Sequence, residues 1–141
     1  MKVKMGKYTD SGQEVKVRID HWDTWNMDVS LAHIILPMLK QMVNDKQGAP
    51  NVDCEDVPEE LRATDAELES YKQTGETDTH FFDRWDWVLN EMIYSFETKV
   101  SDEDVLSQYY TVDKLEEAKK VQERISNGFR LFGKYYEALW T

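Results

Sequence analysis

The stretch HFFDRWDWVLNEMIYSFE, residues 80–97, places large apolar side chains at the three- and four-residue spacing of an amphipathic α-helix. The apolar stripe consists of Phe81, Trp85, Val88, Leu89, Met92, Ile93 and Phe96. A second set of side chains follows the same spacing on another side of the segment, so neighbours are expected from two directions. The sequence therefore predicts that residues 80–99 form the central helix of the fold.

Two further segments repeat the helical spacing on either side of this central helix. Residues 21–47 begin with the cap-rich string HWDTWNMD and form one predicted helix, while residues 112–140 form the longest. Gly128 and Gly133 lie inside the latter, and a glycine within a helix costs about 1 kcal/mol relative to alanine. We therefore expect another backbone to approach closely at both glycines.

The N-terminal residues have the alternating pattern of β-strands rather than the spacing of a helix. Residues 1–20 alternate apolar and polar side chains around TDSGQ, which predicts a β-hairpin. In its second strand Val15, Val17 and Ile19 share one face, which suits packing on the helices. Because an isolated hairpin is barely stable, we expect it to lean on the helices or to pair with another copy.

The stretch between the first two helices is acidic and weakly periodic. Residues 48–79 therefore form a predicted acidic loop, which is long for a compact domain. Residues 1–141 are predicted to form a single domain. The predicted fold class is α+β, mainly α, with the N-terminal β-hairpin packed on a three-helix core that carries this long acidic loop.

Charge and composition exclude several classes of protein. The 141 residues have a net charge of −11, and residues 51–104 alone carry four basic and seventeen acidic side chains, a net charge of −13. This balance argues against binding of duplex nucleic acid. Cys54 is the only cysteine, the longest apolar run is too short to span a bilayer, and the first ten residues lack the apolar core of a signal peptide. These features predict a cytoplasmic protein without a membrane partner.

Several long strings in the chain resemble a family of small, uncharacterised proteins encoded by tailed bacteriophages. The resemblance covers roughly residues 15–141 and is carried by the strings WDTWNMDVSLAHIILPMLKQ, GAPNVDCEDVPEELR, RWDWVLNEMIYSFE and RISNGFRLFGKYYEALW. It implies expression in the cytoplasm of an infected bacterial host. It brings no activity, cofactor or catalytic residue to this chain, and the short hairpin loop lacks the longer sequence expected of related chains.

Signatures of catalysis are missing from the sequence. There is no Gly-x-Ser-x-Gly string, no Cys-His arrangement, no phosphate-binding glycine-rich loop and no dinucleotide fingerprint. We therefore predict no catalytic residue and no cofactor. His21, Asp23 and Asp28 are weak candidates for a metal site, because such side chains suit transition metals. The acidic string that follows Val52 lacks the glycine and the spacing of an EF-hand loop.

The most suggestive residues for ligand binding lie near the C-terminus. Arg130 and Lys134 are one helical turn apart and close to aromatic residues, which suits recognition of phosphate and a stacked base. The predicted ligand-binding residues are Arg18, Trp22, Trp25, Trp87, Asn127, Arg130, Lys134 and Tyr135. The alternative is that Arg130 and Lys134 pair with carboxylates of HWDTWNMD or with Glu137.

Three functional hypotheses follow from these residues. The leading one is a homo-oligomeric phage accessory protein that binds and sequesters a small anionic, nucleotide-like ligand, such as a bacterial immune signal, without turning it over. The alternative is an acidic inhibitor or nucleic-acid mimic that blocks a host protein. The third is a metal-dependent hydrolase that uses His21, Asp23 and Asp28.

Overall fold

The computed structural model describes residues 1–101 and 114–140. Within these ranges the chain is mainly helical, with a two-stranded antiparallel hairpin at its N-terminus, which confirms the predicted α+β class. The helices are α1 (Met27–Asp45), α2 (Asp65–Thr74), α3 (Phe81–Val100) and α4 (Leu115–Lys134), and the strands are β1 (Lys2–Thr9) and β2 (Gly12–Arg18).

Helix α3 is the centre of the helical core. Helix α1 packs on one side of it and α4 on another, as its two sets of spaced side chains predicted. Trp85 is 1% exposed, and Val88, Leu89 and Met92 are completely buried. The remaining core side chains come mainly from α1 and α4, including Leu36, Leu39, Met42, Ile125 and Leu131. The predicted range 80–99 agrees with the observed helix to within one residue at each end.

Gly128 brings the backbone of α4 directly against α3. A β-carbon at this position would lie 2.0 Å from Ser95 Oγ and 2.3 Å from the carbonyl oxygen of Glu91, so only glycine allows this approach. The expectation of close packing is therefore confirmed at Gly128. It is wrong at Gly133, where a β-carbon would meet no atom of the described chain within 4 Å.

The predicted boundaries of the other two helices need correction. The first helix was predicted over 21–47, but residues His21–Thr24 form a separate 3-10 turn and α1 begins only at Met27. The third helix was predicted over 112–140, but α4 ends at Lys134 and a 3-10 turn, Tyr136–Ala138, follows it. Residues 112 and 113 of that prediction lie outside the described residues.

The predicted acidic loop contains a helix that its weak apolar spacing does not indicate. We call residues 51–79 the acidic segment; it includes α2 and two 3-10 turns, Cys54–Asp56 and Glu59–Leu61. Helix α2 begins with a capping box, in which Thr64 and Glu67 satisfy each other's backbone amides, and it ends at Gly75, whose φ is 74°. The prediction of a loop over the whole of 48–79 is therefore wrong for residues 65–74.

The hairpin forms as predicted, but its predicted packing on the helical core is wrong. Val3 pairs with Val17 and Met5 with Val15 across the two strands, and these four side chains are 43–56% exposed. Both strands are exposed along almost their whole length. Alternation determines which side chains share a face of a strand, whereas it carries no information about what covers that face.

Candidate functional site

One end of α4 faces the start of the acidic segment. Arg130 and Lys134 lie one turn apart on α4, as predicted, and Tyr135 follows at the end of the helix. All three side chains point to Asp56, which belongs to the first 3-10 turn of the acidic segment and is 5% exposed. We call Asp53, Asp56, Arg130, Lys134 and Tyr135 the Asp56 cluster.

The Asp56 carboxylate receives a hydrogen bond or an ion pair from each of these three side chains. Arg130 Nη2 lies 2.7 Å from Oδ1, while Lys134 Nζ and the Tyr135 hydroxyl lie 2.6 and 2.7 Å from Oδ2. Lys134 Nζ also lies 2.6 Å from Asp53 Oδ2. A buried carboxylate requires such partners, because an unpaired charge is strongly destabilised in the protein interior.

Tyr135 joins the cluster to the backbone and to the core. Its hydroxyl donates to Asp56 and accepts a hydrogen bond from the Asp53 backbone N–H at 3.0 Å. Its ring packs edge-on against Trp85, with the ring centroids 5.8 Å apart. Tyr135 is therefore fixed at both ends, and it positions the acidic segment on the core.

The electrostatic environment keeps the cluster charged. Burial on its own would raise the pKa of Asp56, but the bonds from Lys134, Tyr135 and Arg130 outweigh it and lower the pKa below its ordinary value. The bonds to Asp53 and Asp56 raise the pKa of Lys134. Burial and the bond to Asp56 raise the pKa of Tyr135 to about 12, so its hydroxyl remains a donor at neutral pH.

A second ion pair, in which both side chains are buried, fixes the other end of the acidic segment. Arg84 on α3 is 1% exposed, and its Nη2 lies 2.5 Å from Asp78 Oδ2. Arg84 Nη1 donates to Asp78 Oδ1 and to the carbonyl oxygen of Leu61, both at 3.0 Å. Arg84 is not among the predicted site residues, although it lies on the same helical stripe as Phe81 and Val88, where a charge needs a buried partner.

A third ion pair joins α3 to α4. Arg124 donates to both oxygens of Glu91 at 2.7–3.1 Å, and its guanidinium lies 3.8 Å from the centre of the Tyr94 ring. Glu91 is buried, so this planar, two-pronged contact fixes the angle of the Arg124 side chain. The pair lies next to the close approach at Gly128 and stabilises the same helix contact.

The predicted ligand-binding residues separate into two groups. Asn127, which accepts a hydrogen bond from Arg130 Nε at 2.9 Å, lies with the Asp56 cluster near Trp85. Trp22 and Trp25 lie before α1, whose first turn is bound to the far end of α3 through an ion pair between Asp28 and Lys99. The two groups therefore lie near opposite ends of α3, because fourteen helical residues, a distance of about 21 Å, separate Trp85 from Lys99.

The other predicted contributors also differ from the expected arrangement. Trp87 is half-buried and packs against the core, while Arg18 is exposed and lies 3.9 Å from Asp20. Trp22 and Trp25 are 58% and 76% exposed and contact the ring of His21. These positions do not form one pocket with Arg130 and Lys134.

The weak metal candidates are engaged in other contacts. Asp23 lies 2.7 Å from the amino group of Met1, and Asp28 lies 2.9 Å from Lys99 Nζ. His21 packs against Trp22, with ring centroids 3.9 Å apart. Within residues 1–101 and 114–140, no three His, Cys, Asp or Glu side chains are grouped so that they could hold a metal ion.

Among the helices that the structure describes, none has both the length and the apolar character needed to cross a membrane. Comparison of the chain with protein-family models, with curated proteins and with solved structures gives no match.

Proposed function

We propose that this protein acts without catalysis, as an acidic binding protein whose residues 51–79 capture a basic surface of another protein. The observation that carries the proposal is an exposed acidic segment held at both ends by ion pairs of buried carboxylates, Asp56 and Asp78. Its exposed carboxylates, apart from Asp53 in the Asp56 cluster, belong to Glu55, Glu59, Glu60, Asp65, Glu69 and Glu76. Arg62 and Lys72 are the cations that the same segment exposes.

The two anchors give this segment a defined position. Asp56 binds it to α4, Asp78 binds it to α3, and Val52 and Val57 bury their side chains in the hydrophobic core. A charged segment that is ordered before binding loses less conformational entropy when a partner binds. Complementary charge then increases the rate of encounter with a basic partner and excludes acidic ones.

Sequestration of a nucleotide-like ligand is less well supported at the predicted residues. A phosphate that approached Arg130 and Lys134 would compete with Asp56, a buried carboxylate that both cations contact. Loss of both cations would leave the Asp56 carboxylate buried without a charged partner, which is unfavourable. This cost favours the acidic inhibitor among the functions considered, in keeping with a role as a phage accessory protein.

The test uses two triple variants that remove the same number of exposed carboxylates. One carries Glu→Gln at Glu55, Glu59 and Glu60, and the control carries Glu→Gln at the exposed positions Glu116, Glu117 and Glu123 of α4. Each tagged protein is purified from bacterial cells at low and high salt and analysed by native mass spectrometry. We expect a basic polypeptide that is lost from the first variant, retained by the control and released between about 0.05 and 0.5 M salt.

Two results would contradict the proposal. Equal loss of the polypeptide from both variants would mean that total charge matters and the acidic segment does not. A stoichiometric nucleotide, released on denaturation of a protein that carries no polypeptide, would return the function to ligand sequestration.

A further inference from the structure

We propose that the N-terminal hairpin and the turn that follows it bind single-stranded nucleic acid, with phosphates on a basic face of the hairpin and bases stacked on Trp22 and Trp25. This inference does not depend on the acidic segment or on its partner. It follows from the register of the two strands, from the cations that this register brings together and from the exposure of the two tryptophans.

The strand register gathers four cations on one face of the hairpin. Lys2 lies opposite Arg18 and Lys4 opposite Lys16, and directly opposed side chains in an antiparallel pair point to the same side. Positions two residues apart also share a face, so the two pairs are separated by only about 7 Å along the strands. Like charges that face each other in this way destabilise a sheet. Bound anions between the cations would remove this repulsion.

The protein neutralises this basic face only in part. Lys16 Nζ lies 2.7 Å from Glu14 Oε1, and Arg18 Nε lies 3.9 Å from Asp20 Oδ1. The other two cations, both on β1, are exposed and form no ion pair with any residue that the structure describes. Four cations and two carboxylates leave the face with two positive charges in excess. The basic face is therefore complementary to an anion.

Trp22 and Trp25 lie in the short connection between the hairpin and α1, and Trp22 follows Arg18 by four residues. They are 58% and 76% exposed, and their ring centroids lie 3.9 and 5.7 Å from that of His21. Tryptophan is highly buried on average, because its large ring is favourable to remove from water. Cations together with exposed aromatic rings are the features with which proteins bind single strands, since every base has a flat face that can stack.

The uneven placement of charge reduces the repulsion between the chain and such a ligand. The acidic segment is anchored near Trp85, towards the start of α3, whereas the hairpin leads into α1, whose first turn is bound to Lys99 at the other end of α3. These two ends are about 21 Å apart, more than twice the screening length of about 8 Å at physiological salt. The acidic segment therefore acts only weakly on an anion at the hairpin.

A single strand fits these features better than other anions do. The bases of a duplex are stacked on each other, so a duplex could meet the cations but not the tryptophans, and its higher charge density increases repulsion by the chain. An acidic peptide offers carboxylates without the flat rings that stacking requires. A mononucleotide has one phosphate group, whereas cations spread over two strands suit the repeated phosphates of a polymer.

The experiment measures the binding of fluorescently labelled oligodeoxythymidylate and oligouridylate, each about 12 nucleotides long, by fluorescence anisotropy. We expect a dissociation constant of about 10–100 µM at about 0.05 M salt. The logarithm of the association constant should fall with the logarithm of the salt concentration with a slope of about −2 to −3, because each neutralised phosphate of a single strand contributes about −0.7. Binding of either oligonucleotide supports the proposal, and the tighter one distinguishes DNA from RNA.

Two double variants separate the basic face from the total charge. Lys2→Gln with Lys4→Gln removes the two unpaired cations of the face, and Lys119→Gln with Lys120→Gln makes the same change in net charge at exposed positions of α4. The hairpin variant should reduce the steepness of the salt dependence by about 1.4 and weaken binding at least about fivefold. The α4 control should weaken binding less than about twofold, since its cations lie outside the proposed site.

Two single variants test base stacking independently of the strands. Trp25→Ala removes the more exposed of the two rings, and Trp140→Ala is the control because Trp140 is also exposed, at 68%. Loss of one stacked base should weaken binding at least about fivefold, whereas the control should stay within about twofold of the wild type.

Circular dichroism of each variant confirms that the helices and the hairpin are retained. A wild-type chain that binds neither oligonucleotide at about 1 mM overturns the proposal. So does a duplex or polyglutamate that displaces the labelled strand as well as an unlabelled single strand does, because charge alone would then account for binding. Equal affinities of the hairpin variant and its α4 control, or of the two tryptophan variants, would likewise overturn it.

Discussion

Removal of one hydroxyl from Tyr135 tests whether the Asp56 cluster holds the acidic segment in place. The Tyr135→Phe variant keeps the ring and its contact with Trp85, but loses the 2.7 Å bond to the Asp56 carboxylate and the 3.0 Å bond from the Asp53 backbone N–H. A hydrogen bond to a charged group contributes about 1.5–3 kcal/mol, whereas the Asp53 amide lies near the surface and can bond to water. We expect a loss of about 2 kcal/mol in the free energy of unfolding.

Tyr136→Phe is the matched control for this variant. Tyr136 is adjacent, 64% exposed, and its ring packs on Phe132, but within the described chain its hydroxyl makes no hydrogen bond. For a chain of this length, 2 kcal/mol corresponds to a fall in Tm of about 7 °C, and the control should change Tm by less than about 1 °C. Both variants are measured by thermal and urea unfolding, followed by circular dichroism.

The dependence of the free energy of unfolding on pH above pH 10 provides a second measurement. The folded-state pKa of Tyr135 is raised from 10.0 to about 12, so its stabilising contribution is complete below pH 10 and is lost as the pH rises through about 12. Tyr135→Phe should lose less stability than the wild type over that interval. The role assigned to this hydroxyl would be refuted if the free energy of unfolding of the variant lay within about 0.5 kcal/mol of the wild-type value at pH 7 and fell equally above pH 10.

Three further predictions follow from the same contacts. Gly128→Ala should destabilise the chain by about 1–3 kcal/mol or more, because the new methyl group meets Ser95 and the α3 backbone, whereas Gly133→Ala should be neutral or stabilising by up to about 1 kcal/mol. Thermal unfolding of the two variants distinguishes these outcomes, and equal effects would contradict the close approach at Gly128. The depressed pKa of Asp56 means that its contribution is present above pH 3.8, its ordinary pKa, and is lost as the pH falls through the lower folded-state value. The Asp56→Asn variant should therefore be less stable than the wild type at pH 7 but lose less stability between pH 5 and pH 2, as measured by urea unfolding. An equal loss of stability in the two proteins over this interval would count against this contribution. Arg84→Met should cost about 3–5 kcal/mol, because it leaves the buried Asp78 carboxylate without its cation, and a near-native urea midpoint would argue against that anchor.

Most of the fold could be predicted from the sequence because its large elements have strong periodic patterns. Residues 80–97 predicted α3 almost to the residue, since many of its positions face the core. Helix α2 escaped prediction because no residue in it is buried, so its apolar spacing is weak. Its local signals were the Thr64 and Glu67 capping box and Gly75, which mark the ends of a helix independently of burial.

The candidate site could be predicted only in part. The spacing of Arg130 and Lys134 predicts that both cations lie on one face of a helix, but it does not distinguish binding of a ligand from pairing with internal carboxylates. The partners lie in the acidic segment, more than seventy residues away, and not in the HWDTWNMD string or at Glu137. No local pattern specifies such a pairing, because the choice among many acidic side chains depends on the packing of α3 and α4.

The convergence of three donors on the single carboxylate of Asp56 has a consequence for how this sequence can diverge. A substitution at any one of the four side chains leaves another with an unmatched charge or without a hydrogen-bond partner, so its effect depends on which residues occupy the remaining positions. Lys134→Met should be far better tolerated beside an asparagine at position 56 than beside the aspartate. In homologous chains, these four positions should therefore change in concert, and their covariation would reveal the cluster without a structure.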